Sequence, residues 1–152
     1  MRWVILALLL ALAGGPVSAA TGGRVIKVLP QFLDLKGRES LSPSLFDRDA
    51  YQSQLRHHPT ERSGLQFKIQ WKAQAAPTQD LKLRVEFRGV ARGELPKTGA
   101  IDTVVRRKHW YSHWTGVKID ETTYREFGEI TAWRVSLWDG GKLLSEQKSF
   151  LW

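Results

Sequence analysis

The sequence predicts a mainly all-β single domain, an antiparallel β-sandwich with one short helix inserted between its first two strands. Two long segments alternate apolar and charged residues with a period of two, the mark of strands with one face buried and one solvated. Turn-forming residues recur about every 10 to 15 positions, which keeps the strands short. The chain has 152 residues, room for one domain and not two, and its 42% hydrophobic and 25% charged content suits a packed core rather than disorder.

The elements follow in order. Met1-Arg2, the apolar run Trp3 to Ala13, the break Gly14-Gly15-Pro16 and the small residues Val17-Ser18-Ala19-Ala20 form the three regions of a secretory signal peptide. Residues 1–20 are therefore expected to be removed on export, leaving residues 21–152 as the domain. The apolar run is shorter than the roughly 20 residues that a membrane helix needs. Arg24 to Leu35 reads as a weaker strand interrupted by Pro30, which suits a sheet edge because proline cannot donate to a ladder. Residues 36–63 lack alternation and read as a loop and helix insertion. Ser44-Leu45-Phe46-Asp47 has the form of a capping box, and the helix it opens must stop before Pro59. Leu45, Phe46, Tyr51 and Leu55 supply an apolar stripe with which this insertion could cap an open end of the sandwich.

The two clearest strands come next. Leu65, Phe67, Ile69, Trp71 and Ala73 alternate with Gln66, Lys68, Gln70 and Lys72; Leu81, Leu83, Val85 and Phe87 alternate with Lys82, Arg84, Glu86 and Arg88. Ile101 to Lys108 and Trp114 to Ile119 are shorter candidates. Thr131, Trp133, Val135 and Leu137 form one face of a later strand, and Asp139-Gly140-Gly141 makes a tight hairpin to a return strand over Leu143 to Trp152. About seven short strands in this arrangement are immunoglobulin-like in the broad sense, without the cysteine pair of the antibody domains.

The chemistry available is narrower than the fold. There is no cysteine, which excludes disulfides, thiolate metal sites and thiol catalysis. No G-x-S-x-G, H-E-x-x-H or glycine-rich phosphate loop is present. The carboxylates Asp120-Glu121 and Glu126 with Glu129 have no spacing that separates a catalytic pair from surface acids. His57-His58 falls at a helix end, where the dipole favours imidazole, and His109 and His113 would lie about 13 Å apart on a strand, too far to share an ion. Neither a metal site nor a cofactor is expected.

What remains is charge and aromatics. Lys and Arg number 23 against 15 acids, a net charge of +8, and there are seven tryptophans. The densest segment runs Arg106, Arg107, Lys108, His109, Trp110, Tyr111, Ser112, His113, Trp114. If it is extended, Trp110 and Trp114 share one face, and indole faces beside cations suit sugar rings carrying carboxylate, sulfate or phosphate. Lys68, Lys72, Lys82, Arg84 and Arg88 would add a basic face if their two strands are neighbours. The plainer alternative is that these cations maintain solubility and guard strand edges. The function expected is an exported, periplasmic or extracellular, noncatalytic binding module for an anionic polysaccharide or another cell-envelope polyanion. A structural or assembly protein of the envelope is the alternative, with an envelope protein as partner and the last strand as the pairing element. A small hydrolase with an unrecognised site is the second alternative. Nucleic acid ranks lower because it would have to be extracellular.

Overall fold

The computed structural model describes residues 22–74, 80–91, 93, 95–106 and 111–152, so the signal-peptide reading of residues 1–20 lies outside the described residues. The described chain is mostly β, with seven strands in two antiparallel sheets and two helices. Strict alternation makes β2 (Arg62–Ala73) and β3 (Leu81–Val90) the centre of the molecule. Their apolar sets, from Leu65 to Ala73 and from Leu81 to Phe87, are almost wholly buried. Each large buried side chain contributes about 1.5–3 kcal/mol by leaving water.

The two central strands belong to different sheets. β2 lies between β1 (Gly23–Asp34) and β5 (His113–Ile119). β3 lies between β4 (Lys97–Val105) and β6 (Glu129–Asp139), and β7 (Lys142–Lys148) completes that sheet beyond β6. The inward faces share one core, and Phe67 of one sheet meets Trp133 of the other edge to face at 6.1 Å. Asp139 pairs with Lys142 across Gly140, which sits at φ 55°, so the hairpin read from the sequence forms with a two-residue loop.

Pro30 lies in β1, an edge strand, but the free side of that strand is guarded. Near its start, the Val25 N–H donates to Ser145 Oγ (3.2 Å) and the Ile26 carbonyl accepts from Gln147 Nε2 (3.0 Å). Side chains of β7 thus bridge the two sheets where no ladder forms. Near its end, Gln52 serves both backbone groups of Phe32, accepting from its N–H at 2.8 Å and donating to its carbonyl at 3.0 Å.

Gln52 belongs to α1 (Leu45–His57), which Ser44 caps by accepting from the Asp47 N–H. Arg62 closes the other end by donating to the carbonyls of Leu55 and Arg56, while its guanidinium stacks 4.0 Å over Phe32 and meets Glu129 at 3.3 Å. The expected position of the helix over an open end of the sandwich needs correcting. Leu45 and Phe46 are 71% and 80% exposed, Leu55 is the only buried residue of α1, and it lies outside the main core. The helix instead lies beside β1, held by Gln52 and by the Tyr51 hydroxyl, which donates to Asp34 (3.1 Å).

A second helix, absent from the sequence reading, takes the place at the core. α2 (Glu121–Phe127) is capped by Asp120, which accepts from the Thr123 N–H, and stops at Gly128 with φ 68°. Its Tyr124 and Phe127 reach the core, where Phe127 meets Phe87 at 5.0 Å. The return strand is also shorter than expected. It ends at Lys148, and the chain turns so that Trp152 lies outside the four-stranded sheet, with Arg88 and Arg134 4.3 and 4.9 Å from its ring; Phe150 is fully exposed.

Candidate functional site

The residues singled out by sequence are not brought together as one surface. β2 and β3 are consecutive in sequence but lie in different sheets, so Lys68 and Lys72 face outward from one sheet while Lys82, Arg84 and Arg88 face outward from the other. The expected single basic face is therefore two faces on opposite sides. On the four-stranded side each of these cations has a partner. Lys82 and Arg84 share Asp102 at 3.5 and 3.8 Å, Arg134 meets Glu86 at 2.8 Å, and Arg88 lies against Trp152.

The aromatic segment is likewise divided. Arg106 follows β4 and makes a two-pronged ion pair with Asp80 at 3.0 and 3.1 Å, locking the open end of the β3–β4 hairpin. Arg107, Lys108, His109 and Trp110 lie outside the described residues. Tyr111 stacks on His113, whose ring in turn lies 5.0 Å from buried Trp71, and the Trp71 indole donates to Thr115 (2.9 Å). His113 thus supports the end of the core. His57 and His58 bond through Nδ1 to the backbone carbonyls of Ser53 and Gln54, at 2.7 and 2.9 Å, and serve the helix end.

Trp114 is different. It lies opposite Gln70 on the outer face of β5 and is 53% exposed, on the same face as Lys68 and Lys72. β1 and β5 pair with β2 in a register that builds rows across this face. Lys27, Gln70 and Trp114 form one, Leu29, Lys68 and Gly116 the next, and Gln31, Gln66 and Lys118 a third. Arg24 lies opposite Lys72 beyond them. A groove of about 510 Å³ runs over the first three rows, with Leu45 and Arg48 of α1 on the β1 side and Trp114 on the β5 side. At Gly116 on its floor the Gln66 amide nitrogen occupies space 2.6 Å from where a Cβ would lie.

The charges of this face are less compensated than those of the opposite one. Lys68 is paired with Glu39 at 2.5 Å, but Arg24, Lys27 and Lys72 have no ion pair among the described residues. Two polar atoms at the groove, Gln31 Oε1 and Arg48 Nε, are buried without a hydrogen-bond partner. Among the described residues no group of three His, Asp or Glu side chains is placed to hold a metal ion, and no helix is long and apolar enough to cross a membrane.

The sequence reading missed Lys27, Leu29, Gln31, Arg48 and Gly116. The outward phase of β2 was visible in Gln66, Lys68, Gln70 and Lys72, but which strands flank β2 was not. The register of β1 also shifts between Val25 and Lys27, which changes the residues that face outward. Set against known proteins, the chain matches no family model, no curated protein and no solved structure.

Proposed function

We propose that this chain is an exported, noncatalytic binding module whose ligand is an acidic glycan of the cell envelope, held in the groove on the outer face of the three-stranded sheet. The observation that carries the reading is the half-exposed Trp114 facing a groove whose other residues include Lys27, Arg48 and Lys68. An indole face offers a sugar ring an apolar platform, the cations attract its acid groups, and the Gln31 and Gln66 amides suit hydroxyls. Export rests on the signal-like residues 1–20. The strand order β1-β2-β5 against β4-β3-β6-β7 supports an immunoglobulin-like sandwich in the broad sense, although no disulfide joins the sheets.

The assembly alternative, with pairing through the last strand, is less well supported, since side chains of β7 already engage β1. The acids considered for a hydrolase have structural partners: Asp120 caps α2, Glu121 bonds Arg125, Glu126 meets Lys97 at 3.7 Å and Glu129 meets Arg62. The test is titration of the purified protein with acidic and neutral polysaccharides at about 0.15 M salt, followed by tryptophan fluorescence. Trp114→Ala is expected to weaken binding about tenfold, the value of one good aromatic contact, while leaving the folding transition in place. Undiminished affinity in that variant, or attraction to every polyanion that vanishes by about 0.5 M salt, overturns the reading.

A further inference from the structure

We infer that the ligand is a linear polymer lying along β2, and that a second subsite, centred on Lys72, continues the groove. This inference rests on the glycan reading above and extends it from a groove to a path. The first support is the placing of the groove walls. α1 stands on the β1 side and Trp114 on the β5 side, so the floor between them runs parallel to β2 rather than across it.

The second support is a further depression in the same line. Ile26 on the β1 side and Tyr111 with Ser112 on the β5 side flank a space of about 470 Å³ that Lys72 also lines. The row of Lys27, Gln70 and Trp114 separates the two spaces. The third is the chemistry of β2 itself, whose outward residues are Gln66, Lys68, Gln70 and Lys72 in alternation. Side chains on one strand face recur about every 6.8 Å, which places Lys68 and Lys72 about 13 Å apart, a separation that calls for several linked sugars. An ammonium takes an acid group and an amide takes a hydroxyl or an acetamide, so the row suits a chain in which charged and neutral groups both recur. Gln70 is fixed by donating to Ser112 Oγ at 3.0 Å, which ties the central strand to the rim of the second space.

The experiment is calorimetric titration of the whole protein with size-defined hyaluronan and oligogalacturonate, each as disaccharide, too short to bridge the two lysines, and decasaccharide, at about 0.15 M salt. Affinities are compared per mole of repeat, which removes the statistical advantage of a longer chain. The decasaccharide of at least one glycan is expected to bind about tenfold more tightly per repeat than its disaccharide, because the second contact is made intramolecularly. Lys72→Ala is expected to erase most of that gain and leave disaccharide binding unchanged; Lys82→Ala, on the opposite face, is expected to change neither. Equal affinity per repeat for the two lengths, with dependence on Trp114 retained, overturns the path and leaves the groove reading standing. A Lys72→Ala variant that weakens both lengths alike, or neither, also overturns the path. Absence of binding by every oligomer overturns both readings.

Discussion

Gln52 offers the sharpest test of how the groove wall is held. Its amide satisfies both backbone groups of Phe32 at the edge of β1, and these bonds join α1 to the sheet at a point where no strand pairs. A half-buried neutral hydrogen bond contributes about 0.5–1.5 kcal/mol net, so Gln52→Ala should cost about 2 kcal/mol for the pair. For a domain of this size that lowers Tm by about 6–10 °C. Calorimetry and urea denaturation measure the loss, and hydrogen exchange locates it. The Phe32 amide, which relies on Gln52, should exchange markedly faster, and protection across α1 should fall with it. Because Leu45 and Arg48 of the same helix flank the groove, ligand affinity should drop in parallel. Gln54→Ala is the control, since that side chain bonds Glu61 on the exposed face of the helix and should change stability by less than about 0.5 kcal/mol. A Gln52→Ala protein with stability within about 0.5 kcal/mol of the original and an unchanged Phe32 exchange rate would refute the reasoning.

Gly128→Ala should destabilise by about 3 kcal/mol or more, since a left-handed residue acquires a side chain and its Cβ would lie 2.6 Å from both the Ala91 Cα and the Val90 carbonyl oxygen. Denaturant midpoints test this, and a midpoint close to the original would show that the backbone around Val90 and Ala91 can yield. Asp34 governs part of the acid response. Burial pushes its pKa up, but the backbone N–H groups of Arg38 and Lys36, the Tyr51 hydroxyl and the Arg38 charge outweigh this and hold it below the usual 3.8. Its contribution is therefore present above about pH 4 and is lost as pH falls through the lower folded-state value. The stability difference between the original protein and Asp34→Asn should shrink as pH is lowered from about 4 to 2; a difference that stays constant would remove Asp34 from the acid response.

The legible parts of the fold are those where one face is buried and the other wet. β2 and β3 could be read residue by residue because their inward sets, Leu65 to Ala73 and Leu81 to Phe87, meet a single core. β6 was only partly legible. Its outer face also buries Ala132 and Ser136, a consequence of tertiary cover that periodicity does not encode. α2 left a signal that went unread, namely Asp120 as cap, Glu121 four residues before Arg125 and Gly128 as stop. α1 misled because an apolar stripe was taken to mean burial, whereas its attachment depends on polar Gln52 and Tyr51. The candidate site suffered most from topology. Chain adjacency of β2 and β3 said nothing about their sheets, and Lys27 and Gly116 became neighbours of Lys68 only through strands about 40 residues before it and about 50 after it.

The seam between β1 and β7 also has a temporal meaning. Val25 bonds to Ser145 across 120 positions of sequence, so the first strand to be synthesised is not fully sheltered until the last one has arrived. Contacts of such span must close a long loop before they are rewarded, which places folding of sandwiches of this kind in the millisecond-to-second range. A chain interrupted before residue 142 would keep the start of β1 uncovered and open to unwanted pairing.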